Sequence, residues 1–150
     1  MTIQDAYSFF EGLIAKSTKK SETKVYKKFN RLLSGLKKRE FSEEDIQSLE
    51  TKLESLNLES IPSNREKYYH KALSTFEKYL RETYSLAPKG YYTKLYGGLG
   101  LPIGLLFGVV FLSIWERSLG ISLGLLIGMV VGSTIGQVLD KQVVSEGRLL

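Results

Sequence analysis

Residues 118–139 read Ser-Leu-Gly-Ile-Ser-Leu-Gly-Leu-Leu-Ile-Gly-Met-Val-Val-Gly-Ser-Thr-Ile-Gly-Gln-Val-Leu. The stretch is 22 residues long and carries no charge. Its glycines, Gly120, Gly124, Gly128, Gly132 and Gly136, fall at every fourth position. About 20 apolar residues are enough for a helix to cross a bilayer. A glycine inside a soluble helix costs roughly 1 kcal/mol against alanine, so five at one spacing call for a compensating contact. In a bilayer that contact is close approach: without side chains two backbones touch, gaining dispersion and weak Cα–H···O bonds. Each four-residue step also moves the row by about 40° around the helix, which suits a partner that crosses at an angle.

A second charge-free run, Leu95 to Trp115, lies just upstream and holds Gly100, Gly104 and Gly108 at the same spacing. Only a Trp-Glu-Arg-Ser connection separates the runs, so two helices there must be antiparallel neighbours. The reading is a transmembrane helical hairpin with a glycine zipper over residues 90–141, its spans at about 95–115 and 118–139. Tyr91, Tyr92 and Tyr96 cluster at one end of the first span and Trp115 marks the other; amphipathic aromatics favour headgroup depth. Lys89 and Lys94 precede the hairpin and Lys141 and Arg148 follow it, whereas the far turn has only Arg117 beside Glu116. The positive-inside rule then places both termini in the cytoplasm, as in a multi-pass protein of the cell inner membrane. Pro102 reads as lying close to the start of the first helix. Neither span contains Asp, Glu, Lys, Arg or His, which disfavours ion-coupled transport and proton relays. Ser113, Ser122, Ser133, Thr134 and Gln137 are the polar side chains at depth, suited either to a modest aqueous path or to bonding a neighbouring backbone.

Upstream the pattern changes. The first 94 residues carry 18 Lys/Arg and 13 Asp/Glu and so hold all of the net charge of +5. Apolar residues recur at helical spacing in four groups: Ile3, Ala6, Tyr7, Phe10, Leu13 and Ile14; Val25, Phe29, Leu32, Leu33 and Leu36; Ile46, Leu49, Leu53 and Leu56; and Tyr69, Ala72, Leu73, Phe76 and Leu80. Breaks fall at Ser17-Thr18, Arg39-Glu40 and Glu59-Ser60-Ile61-Pro62. Ser42 with Asp45 resembles a capping box, and Ser63 with Glu66 fits the pattern better. The fold class expected is all-α: an N-terminal cytoplasmic four-helix bundle over 1–89, the two-helix antiparallel hairpin, and a cytoplasmic tail over 142–150. Pro88 and Gly90 punctuate a linker short enough to keep the bundle near the bilayer surface. Lys19, Lys20, Lys24, Lys27 and Lys28 form a basic cluster for which anionic lipid is the expected partner. Nucleic acid is disfavoured, because the aromatics sit on core stripes rather than among the lysines.

The chain has no cysteine, which excludes disulfides and cysteine-based zinc sites. No His/Asp/Glu set has metal spacing and no glycine-rich phosphate loop is present, so neither metal nor cofactor is expected. The single histidine, His70, follows Arg65 by five, a spacing that resembles the Arg-x4-His signature of HEPN-type ribonucleases. That resemblance implies that Arg65 and His70 act together on an RNA phosphate, although Glu66 is an awkward neighbour for one. Over residues 95–140 the hairpin resembles small bacterial glycine-zipper membrane proteins. That resemblance implies oligomerisation through the glycine rows and, in some members, a pore. The leading expectation is a homo-oligomeric membrane protein whose helical domain senses a small ligand or protein partner. In its strongest form it is a pore-forming or membrane-perturbing effector of the toxin or antiviral-defence type. The alternatives are a passive membrane anchor that scaffolds a protein partner, and a membrane-tethered HEPN-like ribonuclease; the chain is otherwise expected not to be an enzyme.

Overall fold

The computed structural model describes residues 1–60, 62–112 and 117–150, with Leu112 and Arg117 described by backbone alone. Among these residues every regular element is helical: α1 (Ile3–Lys16), α2 (Lys20–Lys37), α3 (Glu43–Ser55), α4 (Arg65–Tyr84), α5 (Tyr91–Phe107), which runs on into a π-helical turn over Gly108–Leu112, and α6 (Arg117–Ser145). Two compact units result, residues 1–86 together with Leu150, and residues 87–149.

In the first unit α1 packs along α2, α2 against α4, and α1 also meets α3. The stripes read from the sequence supply the core. Val25, Phe29, Leu32, Leu33 and Leu36 of α2 are buried, joined by Tyr26; so are Tyr69, Ala72, Leu73, Phe76 and Leu80 of α4. The centre is aromatic: Phe10 stacks on Phe29 with ring centroids 4.3 Å apart, and Phe29 in turn stacks on Phe76 at 6.1 Å. Two expectations need correction. Ile46 is 39% exposed, because α3 presents Leu49 and Leu53 to the core and Ile46 falls to the side of that seam. Helix α4 is capped by Asn64, not Ser63: the Asn64 side chain accepts from the Lys67 amide at 3.0 Å, starting the helix one residue later. Ser42 caps α3 as read, accepting from the Asp45 amide at 3.1 Å.

Helix α4 ends where Ser85 turns left-handed (φ 54°) and the Leu86 amide bonds back to Leu80 O at 3.2 Å. Gly90, at φ 74°, then opens α5, a backbone conformation that glycine adopts without strain. Both apolar helices extend past one end of their charge-free runs. Helix α5 begins at Tyr91 and α6 runs to Ser145, because helical hydrogen bonding continues through the flanking tyrosines and polar residues. Pro102 therefore lies inside α5 instead of near its start. It removes one backbone bond there, to the carbonyl of Gly98. Beyond α6 the chain turns at Gly147 (φ 68°), and the Ala87 amide donates to Arg148 O at 3.1 Å. Residues 148–149 thus lie beside the segment that leads into α5, pairing through an isolated bridge between Ala87 and Leu149.

Candidate functional site

The glycine rows of α5 and α6 meet each other within one chain. At the place where each missing Cβ would stand lies a carbonyl oxygen of the other helix: Gly128 O at Gly100, Gly124 O at Gly104 and Gly120 O at Gly108. The relation is reciprocal, with Gly104 O at Gly124 and Gly100 O at Gly128. Four residues up one helix correspond to four down the other, so the helices are antiparallel and in register. A Cβ on Gly104 would lie 2.8 Å from the Gly128 Cα, and one on Gly108 would lie 3.0 Å from the Gly124 Cα. No side chain fits at such distances, and backbone at this separation gains the dispersion and Cα–H···O contacts that offset the low helix propensity of glycine.

Five glycines face three for a reason the sequence did not reveal. Gly132 receives the Tyr96 carbonyl, and Gly136 receives the backbone of Tyr92 and Thr93, so the last two glycines admit ordinary residues of α5. All five are used inside the hairpin, whereas the sequence favoured a contact between subunits. Gly97, off the main row, stands against Ser133: an added Cβ would lie 2.9 Å from the Ser133 hydroxyl.

Asp140 is the residue the sequence reading passed over. It accepts from the Tyr92 and Thr93 amides at 3.0 Å each and from the Thr93 hydroxyl at 2.6 Å. Helix α5 has Gly90 at its N-cap and no capping side chain of its own, so the carboxylate comes from the far end of α6. A negative group there satisfies two otherwise orphaned donors and faces the positive end of the helix dipole. Only its place one residue past an apolar run marked it, and that place reads equally well as a helix exit. Asp140→Ala is expected to weaken the start of α5 by about 2 kcal/mol, the upper range for losing a cap. Faster hydrogen exchange at the Tyr92 and Thr93 amides, with the Gly104 amide unchanged, is the observation that checks it.

The remaining expected residues are dispersed. Tyr91, Tyr92 and Tyr96 are half-buried around the start of α5, Tyr91 and Tyr92 packing edge to face at 5.1 Å. Trp115, Ser113 and Glu116, together with the Arg117 side chain, lie outside the described residues. Ser122 and Thr134 donate to the Ser118 and Val130 carbonyls of their own helix, at 3.0 and 2.8 Å, and Gln137 is exposed. Lys20, Lys24, Lys27 and Lys28 are exposed on α2. At about 100° per residue they share roughly a quarter of its circumference, opposite the buried stripe. Lys19 pairs with Glu22 at 3.6 Å. Arg65 and His70 are both exposed but are not brought together. Arg65 borders a cavity that reaches Tyr26 and Tyr69, whereas His70 lines an open groove with Lys67, Lys71 and Ser74. Five helical residues separate them by about 140° of arc.

Among the described residues no cluster of His, Asp or Glu has the geometry to hold a metal ion. Comparison with protein-family models gives no match, and comparison with curated proteins and with solved structures likewise gives none.

Proposed function

We propose that this chain is a two-span membrane anchor: a glycine-locked hairpin that holds a basic helical domain at an anionic membrane surface. The interlocked backbones of α5 and α6 carry this reading. Both helices are long and apolar enough to cross a bilayer, and only a small part of either is buried. With the glycines turned inward, the large side chains are left outside. Ile103, Leu106, Val110, Leu126 and Val130 are each more than half exposed. A soluble protein rarely leaves so much contiguous apolar surface in water, and a helical core buried in such a protein would have the opposite exposure. Lipid is the solvent that this outer surface fits.

The internal lock favours the anchor over the oligomeric pore. The small-residue surface through which subunits would pack closely is already occupied, and the Ser122 and Thr134 hydroxyls are satisfied within their own helix. The exposed lysines Lys20, Lys24, Lys27 and Lys28 of α2 supply what an anchored domain needs next to an anionic leaflet, about 1 kcal/mol each when close to the surface. The test is alkaline carbonate extraction of membranes from cells that express the full chain. Retention in the pellet, with a chain ending at Leu86 in the supernatant, is the expected result. Release of the full chain by carbonate overturns the proposal.

A further inference from the structure

The helical domain contains a cavity that its core packing does not explain. It measures about 290 Å³ and opens between α1, α2 and the start of α4. Phe9 and Leu13 form one wall and the Tyr26 and Tyr69 rings the floor. Those two rings are 1% and 3% exposed and meet edge to face at 5.3 Å. Their hydroxyl protons are already committed, Tyr26 to Glu22 at 3.3 Å and Tyr69 to the Leu58 carbonyl at 2.9 Å. Burial pushes the Tyr26 phenol up to about 12, with Glu22 adding to the effect, so it remains a neutral donor at physiological pH. The floor therefore offers apolar ring atoms and no free donor.

The free donors are at the rim. Arg65 and Lys16 border the opening, and no carboxylate among the described residues pairs with either. Of the two rim acids, Glu22 is engaged by Lys19 and Tyr26, and Glu59 offsets one of the two cations. Arg65 is close enough to both phenols for its charge to oppose the rise in their pKa values. An aromatic cleft with a planar guanidinium at its mouth matches one ligand shape, a flat apolar body that ends in a carboxylate. The volume is at the low end for ligand pockets, about 300 Å³ and upwards, which limits the body to roughly a single ring.

We propose that the cavity between α1, α2 and α4 binds a small aromatic carboxylate, its ring against Phe9, Tyr26 and Tyr69 and its carboxylate on Arg65. The site is independent of membrane anchoring, and its test reads the cavity whether or not the hairpin spans the bilayer. The probe is 4-fluorobenzoate, followed by fluorine NMR against the full chain in zwitterionic nanodiscs, with empty nanodiscs as background and 4-fluorobenzyl alcohol as the neutral isostere. Saturable binding of the benzoate, and weaker binding of the alcohol, is expected. Arg65→Gln should weaken the benzoate by about tenfold, the usual effect of losing one charge-assisted pair. Leu13→Trp, which fills the cleft from its half-buried wall, should abolish binding, and His70→Gln on another face of α4 should leave it unchanged. Circular dichroism of each variant establishes that the helices persist. The proposal is overturned by benzoate binding no greater than to empty nanodiscs, by equal affinity for the alcohol, or by affinity that survives Arg65→Gln or Leu13→Trp in a folded protein.

Discussion

Gly128→Leu is expected to force α5 and α6 apart. The leucine Cβ alone would fall within 3.0 Å of the Gly104 backbone, and the rest of the side chain would have to enter a seam with no free volume. Neither helix can relieve this by a rotamer change, because the obstructing atoms are main chain. Overpacking of a tight core costs about 1–3 kcal/mol. Here the displaced neighbours also lose their own contacts, so a cost of roughly 3 kcal/mol is expected, about a hundredfold in the closed-to-open ratio. Spin labels at Leu99 and Ile135, both on exposed faces, report the separation in detergent micelles. The wild type should give one narrow distance distribution and Gly128→Leu a broad one. Gly98→Leu is the matched control: it lies in the other helix of the same hairpin, α5, with nothing within 4 Å of an added Cβ, and it should remain narrow. A Gly128→Leu distribution as narrow as the wild type would mean that this seam does not close the hairpin.

The second large effect is all or none. A Cβ at Gly97 would lie 4.0 Å from the Ser133 Cβ, inside the range of about 3.5–4.5 Å that a disulfide spans. The natural chain has no cysteine, so Gly97→Cys/Ser133→Cys introduces the only two thiols. Mild oxidation of the purified variant is expected to close an intrachain bridge almost completely, read as a faster-migrating monomer on a non-reducing gel. Combining it with Gly128→Leu should sharply reduce the yield. If the glycine rows instead joined neighbouring subunits, the product would be a covalent dimer, and the oligomeric effector would regain its place over the anchor.

Much of this architecture was legible because its signals are local. The period of Val25, Phe29, Leu32, Leu33 and Leu36 marks the buried face of α2 from the sequence alone, and the charge-free runs mark the hairpin helices. Pairing was harder. A row of five glycines states that something comes close but not what. The fit of Gly132 and Gly136 to the Tyr96 carbonyl and the Tyr92-Thr93 backbone depends on a register that no residue type encodes. Asp140 escaped notice for the same reason, since its partners lie 47 and 48 positions away in the chain. Arg65 was singled out for its distance from His70, yet what surrounds it comes from α1 and α2, whose approach only packing reveals.

The carboxylate that fastens α5 also bears on how the hairpin is made. A ribosome delivers α5 well before Asp140 exists, so the first helix must wait with its leading amides unsatisfied by protein. The N-terminal end of α6 emerges next, and glycine contacts can form in order from Gly108–Gly120 towards Tyr96–Gly132, each bringing the next within reach. Asp140 arrives last and closes the end where the chain entered. In that order of synthesis the two helices would join as a zip with a terminal clasp. A late clasp would leave the nascent protein an interval in which α5 can still tilt or shift before its position is fixed.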